Sequence, residues 1–297
     1  TEHNKLRDKG PRRVSPYFIP MMIANMASGL IAIRFGCKGP AMPLVTACAS
    51  GNNAIGEAMR AIRHGYADVM LAGGAEAAIN EIALAGFTNM QALSTKDDPK
   101  LASLPFDSRR SGFVMGEGAG ALVLESYDHA KARGANILAE LAGYGMTCDA
   151  YHMTAPDPDA EGGARSIYDA WREARNDSPH IYINAHGTGT PANDATESKA
   201  LLALCGEEAG SRIPVTSVKG TTGHTLGAAG AIEAIVTALS VMNDCVPPTA
   251  GFAEADPECP VNVVTEAKTN YPQKVALSNS LGFGGHNASL AVSPYRA

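Results

Sequence analysis

The chain has 297 residues, with 24 Lys plus Arg against 30 Asp plus Glu and a formal net charge of −6, which excludes a general nucleic-acid binder, because such a protein needs a basic face to hold phosphates. A hydrophobic fraction of 45%, only 6% aromatic residues and 31 glycines exclude a disordered or fibrous chain. They describe a globular α/β protein with many tight strand-to-helix turns and length enough for two packed halves. The cysteines at 37, 48, 148, 205, 245 and 259 form no CxxC pair and no regular framework, which predicts a reduced, cytoplasmic protein without a structural metal.

The start lacks the strand that usually opens an α/β fold, since Thr1 to Arg13 runs straight into the loop-like Gly10-Pro-Arg-Arg-Val-Ser-Pro16. The longest apolar stretch, Ile19 to Ile33, is interrupted by Asn25 and Ser28 and is too short to cross a bilayer, so the chain reads as soluble with no membrane partner. Pro43 to Ala47 is predicted as a strand leading into Cys48-Ala-Ser-Gly-Asn, followed by a helix over Ala54 to His64 and a strand over Asp68 to Ala72. Gly116-Glu-Gly-Ala-Gly120 lacks the full GxGxxG spacing and enters an apolar strand, Gly120 to Glu125, so it does not mark a dinucleotide site. A boundary is expected near Gly134 to Ile137, and then a strand over Ile137 to Tyr144. Asp149 to Gly163 is a polar, Pro-rich loop; a helix over Ala164 to Arg175 carries Trp171. Ile181 to Ala185 is the next strand. Pro214 to Val218 repeats the earlier plan, leading into Lys219-Gly-Thr-Thr-Gly-His224 and a helix over Gly227 to Asn243. Both long helices are apolar or small nearly all round, as expected of helices buried between sheets, and the shared plan predicts an internal duplication. Val275 to Asn279 is the last interior strand before the turn Leu281-Gly-Phe-Gly-Gly-His-Asn287.

Chemistry is suggested where these strands end. A thiol at a helix start feels the positive end of the helix dipole, which lowers its pKa, and the free backbone N–H groups there can hold an oxyanion. Cys48 is placed for this, although on its own it reads more readily as an inert core thiol. His186, in Asn184-Ala-His-Gly-Thr-Gly-Thr-Pro191, and His224 both follow strand ends, and Lys219 precedes His224 by one short turn. Two such histidines and a helix-starting cysteine predict a convergent site. The role of His286 stays open. There is no GxxxxGK[ST] loop and no GxSxG elbow to anchor phosphoryl transfer or serine hydrolysis.

Together these segments resemble the β-ketoacyl-acyl-carrier-protein synthases, from Gly10 to Leu290. The resemblance implies a thiolase-like layered αβαβα fold of two duplicated halves, residues 1–136 carrying the nucleophile and 137–297 carrying the His/Lys/His set. It implies that Cys48 is the nucleophile, that His186 and His224 form the decarboxylating pair, that Lys219 organises the site with Glu233 as its salt-bridge partner, and that Phe283 is the gate and an oxyanion donor. Thr188 and Thr190 would hold the phosphopantetheine arm of the acyl carrier protein, with Gly284 beside the substrate, and no cofactor of the chain's own or metal is implied. Arg12 and Arg13 would greet the acidic carrier protein, and the strand around Pro40 to Thr46 would pair two copies as a homodimer.

Within that family, starter-unit enzymes carry Asn in place of His224, thiolases lack the lysine, and chain-length factors lose the cysteine. The GFGG turn and the Asp149 to Thr154 loop look most like the elongating type II class, making decarboxylative condensation in fatty acid elongation the expected function. A polyketide ketosynthase, and a non-catalytic subunit or fragment, are the alternatives. Asn52, Asn53 and His286 depart from the usual pattern and are expected to lie beside the pocket and tune chain length. The resemblance also implies a segment of roughly a hundred residues ahead of Thr1, whose loss would leave an open sheet edge, an exposed core face and a poorly stable chain.

Overall fold

The computed structural model describes residues 2–174, 180–206 and 212–295, which divide into two compact units, one ending at Val45 and one beginning at Thr46. In the first, α1 (Glu2–Lys9), a 3₁₀ turn at Pro11–Arg13, α2 (Phe18–Met22) and α3 (Met26–Phe35) bury none of their residues. The Glu2 carboxylate accepts from Lys5 and from the Ser15 backbone N–H, tying α1 to the turn after Arg13. The apolar stretch Ile19 to Ile33 becomes the two short helices α2 and α3, with Met21, Met22 and Ile33 exposed. No described helix is long and apolar enough to cross a membrane.

The strand expected over Pro43 to Ala47 does not form; only an isolated bridge joins Thr46 to Cys48. Neither sheet extends to these residues, and an extended segment without a ladder partner has nothing to satisfy its N–H and C=O groups.

The second unit is layered. A two-stranded antiparallel ribbon, β1 (Val69–Glu76) with β2 (Gly118–Glu125), lies over α4 (Ser50–Arg63) and α10 (Ala229–Met242). Beneath these helices is a six-stranded mixed sheet of β3 (Ala139–Cys148), β4 (Ile181–Asn184), β5 (Pro214–Thr216), β6 (Asn262–Val263), β7 (Val275–Gly282) and β8 (His286–Pro294), in the order β3-β8-β7-β4-β5-β6. Its far face is covered by α7 (Glu161–Glu173) and α8 (Pro191–Cys205). The shorter helices α5 (Glu81–Asn89), α6 (Tyr127–Ala132) and α9 (Lys219–Thr222) belong to the same unit. The predicted boundary at Gly134 to Ile137 falls in the link between α6 and β3, and Arg175, the expected end of the Trp171 helix, lies outside the described residues.

Central strands buried on both faces explain the sequence pattern. Ile181, Ile183, Val275 and Leu277 point toward α7 and α8, where they join Ile167, Ala170 and Leu201. Their alternate neighbours Tyr182 and Ala276 point the other way and pack with Val241, Val246 and Val292. The ribbon is less well covered, with Leu71 and Val123 exposed.

The duplicated plan meets at one point, where α4 and α10 cross backbone to backbone. A Cβ on Gly51 would sit 2.4 Å from the Ala231 nitrogen, and one on Gly230 would sit 2.6 Å from the Asn52 nitrogen. Only glycine permits that approach. The crossing brings the start of the Cys48 helix against the start of the helix that carries Glu233.

Candidate active site

Cys48 lies on a sharp elbow. Ala47 before it has φ of 50°, a left-handed conformation that costs a non-glycine residue energy. Local bonds hold it: Ala49 N–H donates to Thr46 O, Ser50 Oγ donates to Ala47 O, and Thr46 N–H donates to Ser50 Oγ. Asn53 Nδ2 donates to Thr46 Oγ1 at 2.6 Å, and the Tyr144 hydroxyl donates to Asn53 Oδ1 at 2.7 Å. The resulting turn leaves Cys48 only 9% exposed, with Sγ 3.0 Å from His224 Nε2.

His224 follows α9 and is fixed by its backbone, which donates to Val114 O at 2.7 Å and accepts from Gly116 N–H at 2.9 Å. Its ring stands edge-on to Phe113 and to His186, with centroids 5.2 Å apart in each case. His186 follows β4 by two residues and is held from α8: its N–H and that of Gly187 each donate to the Glu197 carboxylate at 2.7 Å. Lys219 opens α9, donates to His186 O at 2.6 Å, stands 3.3 Å from His186 Nδ1 and pairs with Glu233. All five side chains are essentially buried.

The tautomers follow from these partners. A lysine ammonium has only donors, so His186 Nδ1 accepts; the Leu226 N–H points at His224 Nδ1 at 3.3 Å, so that nitrogen accepts too. Burial first, and the Lys219 charge second, hold both rings well below the usual histidine range, so both are neutral at pH 7. Each therefore presents an Nε2–H to the space beside Cys48 Sγ. The ligand atoms of Cys48, His186 and His224 all lie within 4.8 Å of one another; a metal there would need the lone pairs of the nitrogens that now carry protons.

The helix-start thiol does not have the lowered pKa predicted from sequence. Burial dominates and pushes Cys48 up to about 11, against the pull of Lys219 and of the backbone N–H groups of Phe283 and Cys48 itself. Cys48 also precedes the first residue of α4 by two positions, and the dipole effect falls off beyond the first turn. The resting group is a neutral thiol. Alkylation of Cys48 by iodoacetamide, followed by peptide mass spectrometry, should then rise about tenfold per pH unit from 7 to 9.5; a plateau reached by pH 8 would show a stabilised thiolate instead.

Phe283 occupies the turn between β7 and β8, and the end of β7 presses on the elbow. A Cβ on Gly282 would meet Thr46 O at 2.7 Å and the Cys48 nitrogen at 3.1 Å. The turn is tied outward to the Pro-rich loop: Gly284 N–H donates to Met153 O, Asp149 N–H donates to Gly285 O, and Asn287 Nδ2 donates to Asp149 Oδ1. Gly284 is exposed. Thr188 and Thr190 lie just beyond His186, hydroxyl to hydroxyl at 2.9 Å.

Thus Cys48, His186, His224, Lys219 and Glu233 form one buried cluster, with the half-buried Phe283 offering its backbone N–H to Cys48 and with Thr188 and Thr190 next to His186. Arg12 and Arg13 are exposed in the first unit. Asn52 Nδ2 and both ends of the Asn53 amide bond to neighbouring protein groups, while Asn52 Oδ1 is buried without a partner among the described residues. His286 opens β8 opposite Gly282 and Cys148. Sequence reasoning missed Glu197 and Asp194, whose carboxylates hold the His186 loop; Asp194 accepts from Gly189 and Phe106 N–H groups. Burial pushes Glu197 up to about 7 against its two N–H donors. The available signal was Pro191 at the first helical position followed by Asp194, which marks a helix start pointing back at the loop.

The chain matches the family model for Beta-ketoacyl synthase, N-terminal domain, over residues 1–130 and that for Beta-ketoacyl synthase, C-terminal domain, over residues 138–253. It is 54% identical over 297 residues to the 3-oxoacyl-[acyl-carrier-protein] synthase 2 of Synechocystis sp., covering 98% of this chain and 70% of that protein. It is 51% identical over 296 residues to the protein of the same name from Staphylococcus aureus strain COL, covering 99% and 71%. Among solved structures, a type II polyketide ketosynthase in complex with its acyl-carrier protein and bound to the hexaketide superposes with a TM-score of 0.93 at 37% identity, over 99% of this chain and 74% of that one. A Beta-ketoacyl synthase from Burkholderia phymatum superposes with a TM-score of 0.92 at 39% identity, over 99% and 72%.

Proposed function

The chain belongs to the beta-ketoacyl synthase family, and on that premise we propose that it catalyses decarboxylative condensation of an acyl group with malonyl-acyl-carrier protein in fatty acid elongation. The observation that carries this reading is the convergence of a nucleophilic thiol with two neutral histidines that each offer an Nε2–H. In the first step Cys48 Sγ attacks the acyl thioester; the carrier's sulfur departs and takes the thiol proton, leaving acyl-Cys48. His224 Nε2–H, at 3.0 Å, stabilises negative charge on sulfur as it develops.

Malonyl-carrier protein then loses CO2. The electron pair left behind delocalises onto the thioester oxygen, which accepts from the buried His186 and His224 Nε2–H groups. The carbanion attacks the acyl-Cys48 carbonyl, and the oxyanion is received by the backbone N–H groups of Cys48 and Phe283. Collapse expels the Cys48 thiolate, which takes a proton from solvent, and the β-ketoacyl product leaves on the carrier. Lys219 and Glu233 keep His186 in the required tautomer. No cofactor of the chain's own enters; the phosphopantetheine arm arrives with the carrier and is held by the Thr188 and Thr190 hydroxyls.

The fatty acid reading is favoured over the polyketide one because the relatives named for 3-oxoacyl-carrier synthesis share 51–54% identity while the polyketide ketosynthase shares 37%. An intact Cys48 favours an enzyme over a silent subunit. The carrier protein is the natural partner; the exposed pair Arg12 and Arg13 offers it a local positive patch on a chain of net charge −6. We read the active form as a homodimer in the cytoplasm, a compartment that suits the free thiols Cys37, Cys48, Cys148, Cys245 and Cys259. Incubated with acyl- and malonyl-carrier protein, the chain should release one CO2 per product two carbons longer than the acyl donor. Acyl uptake without any lengthened product would support the silent-subunit reading instead.

A further inference from the structure

The oxyanion site is assembled from two distant pieces of chain, the elbow at Cys48 and the turn at Phe283. Two backbone N–H groups serve one oxygen only if the pieces keep a fixed separation to within a few tenths of an ångström. Asn52 sits where that separation is set. It is fully buried in the first turn of α4, its main chain lies against Gly230, and its Nδ2 donates to Ser278 O at 3.0 Å and to Ala288 O at 3.2 Å. Ser278 is on β7 and Ala288 on β8; in the sequence they flank Phe283 symmetrically, five residues before and five after. One amide thus clamps both legs of the hairpin that presents Phe283 to the helix that presents Cys48. The histidines are held by other groups: Glu197, Lys219, Val114 and Gly116.

We propose that Asn52 is a positioning residue for the oxyanion site, setting the Phe283 turn against Cys48 so that their N–H groups converge on one oxygen. The inference rests on the condensation reading above. It separates steps that form a tetrahedral oxyanion from steps that do not. In the full chain, N52L keeps the volume but removes the donor. Acylation of Cys48 from acyl-carrier protein should fall about 10- to 100-fold. Decarboxylation of malonyl-carrier protein without an acyl donor, and alkylation of Cys48 by iodoacetamide, should stay within about twofold. N52T, which keeps one hydroxyl donor, should fall between, and it carries the same comparison if N52L does not fold. Equal loss of all three rates, or acylation unchanged from the unaltered chain, would overturn the inference. An unaltered chain that takes up no acyl group overturns the underlying reading, and the inference with it.

Discussion

Cys48→Ala abolishes condensation, lowering turnover by about 10⁴-fold or more, and leaves the chain with no covalently bound acyl group after incubation with acyl-carrier protein. The other described cysteines cannot substitute, because only Cys48 has a histidine Nε2 at 3.0 Å and two backbone N–H groups favouring its charged form. Cys48→Ser keeps the geometry but offers a hydroxyl, a much weaker nucleophile at neutral pH, so the same loss is expected. Neither change should disturb folding greatly, since the thiol fills little volume and its neighbours are held by the Ser50 hydroxyl, which accepts from Thr46 N–H and donates to Ala47 O. Residual condensation within tenfold of the unaltered chain would mean that the acyl group travels by another route.

His186→Ala and His224→Ala each lower malonyl decarboxylation by about 10²- to 10³-fold, the cost of removing one donor to a developing oxyanion, while slowing acyl transfer to Cys48 less. The asymmetry arises from position. On the proposed mechanism each ring gives its Nε2–H to the enolate, whereas the oxyanion of the acyl transfer step is served by backbone groups that neither substitution removes. His224→Ala should affect transfer more than His186→Ala, since His224 alone touches Sγ. The two steps can be read separately, as CO2 release from malonyl-carrier protein and as mass gain from acyl-carrier protein. Equal losses in both steps for both variants would argue against this division of labour.

The strands and the reactive residues at their ends are legible in the sequence because each motif pairs an apolar run with a glycine-rich turn. The helices after Cys48 and after His224 are legible because an all-round apolar helix must be buried, and the structure places α4 and α10 between two sheets. What the sequence hides is burial and direction. The Cys48 thiol is raised because the site is closed around it, a property of distant segments such as β7 and Phe113 that no local pattern contains. Asn52 and Asn53 are adjacent in sequence but one clamps the Phe283 hairpin while the other braces the elbow through Thr46 and Tyr144; successive helical residues point about 100° apart. Glu197 escapes for a similar reason, lying eleven residues beyond the histidine whose backbone it caps. The expected strand at Pro43 to Ala47 fails for a different one, since a local β pattern needs a partner that neither sheet supplies.

The central claim, that a buried neutral thiol at the α4 elbow becomes the acyl carrier between two chemical steps, is tested most directly by trapping that intermediate. The full chain is incubated with acyl-carrier protein, digested and mapped by mass spectrometry, then chased with malonyl-carrier protein. The account predicts a single acyl adduct on Cys48 that disappears as a product two carbons longer forms; an adduct on another residue, or one that persists through the chase, would contradict it.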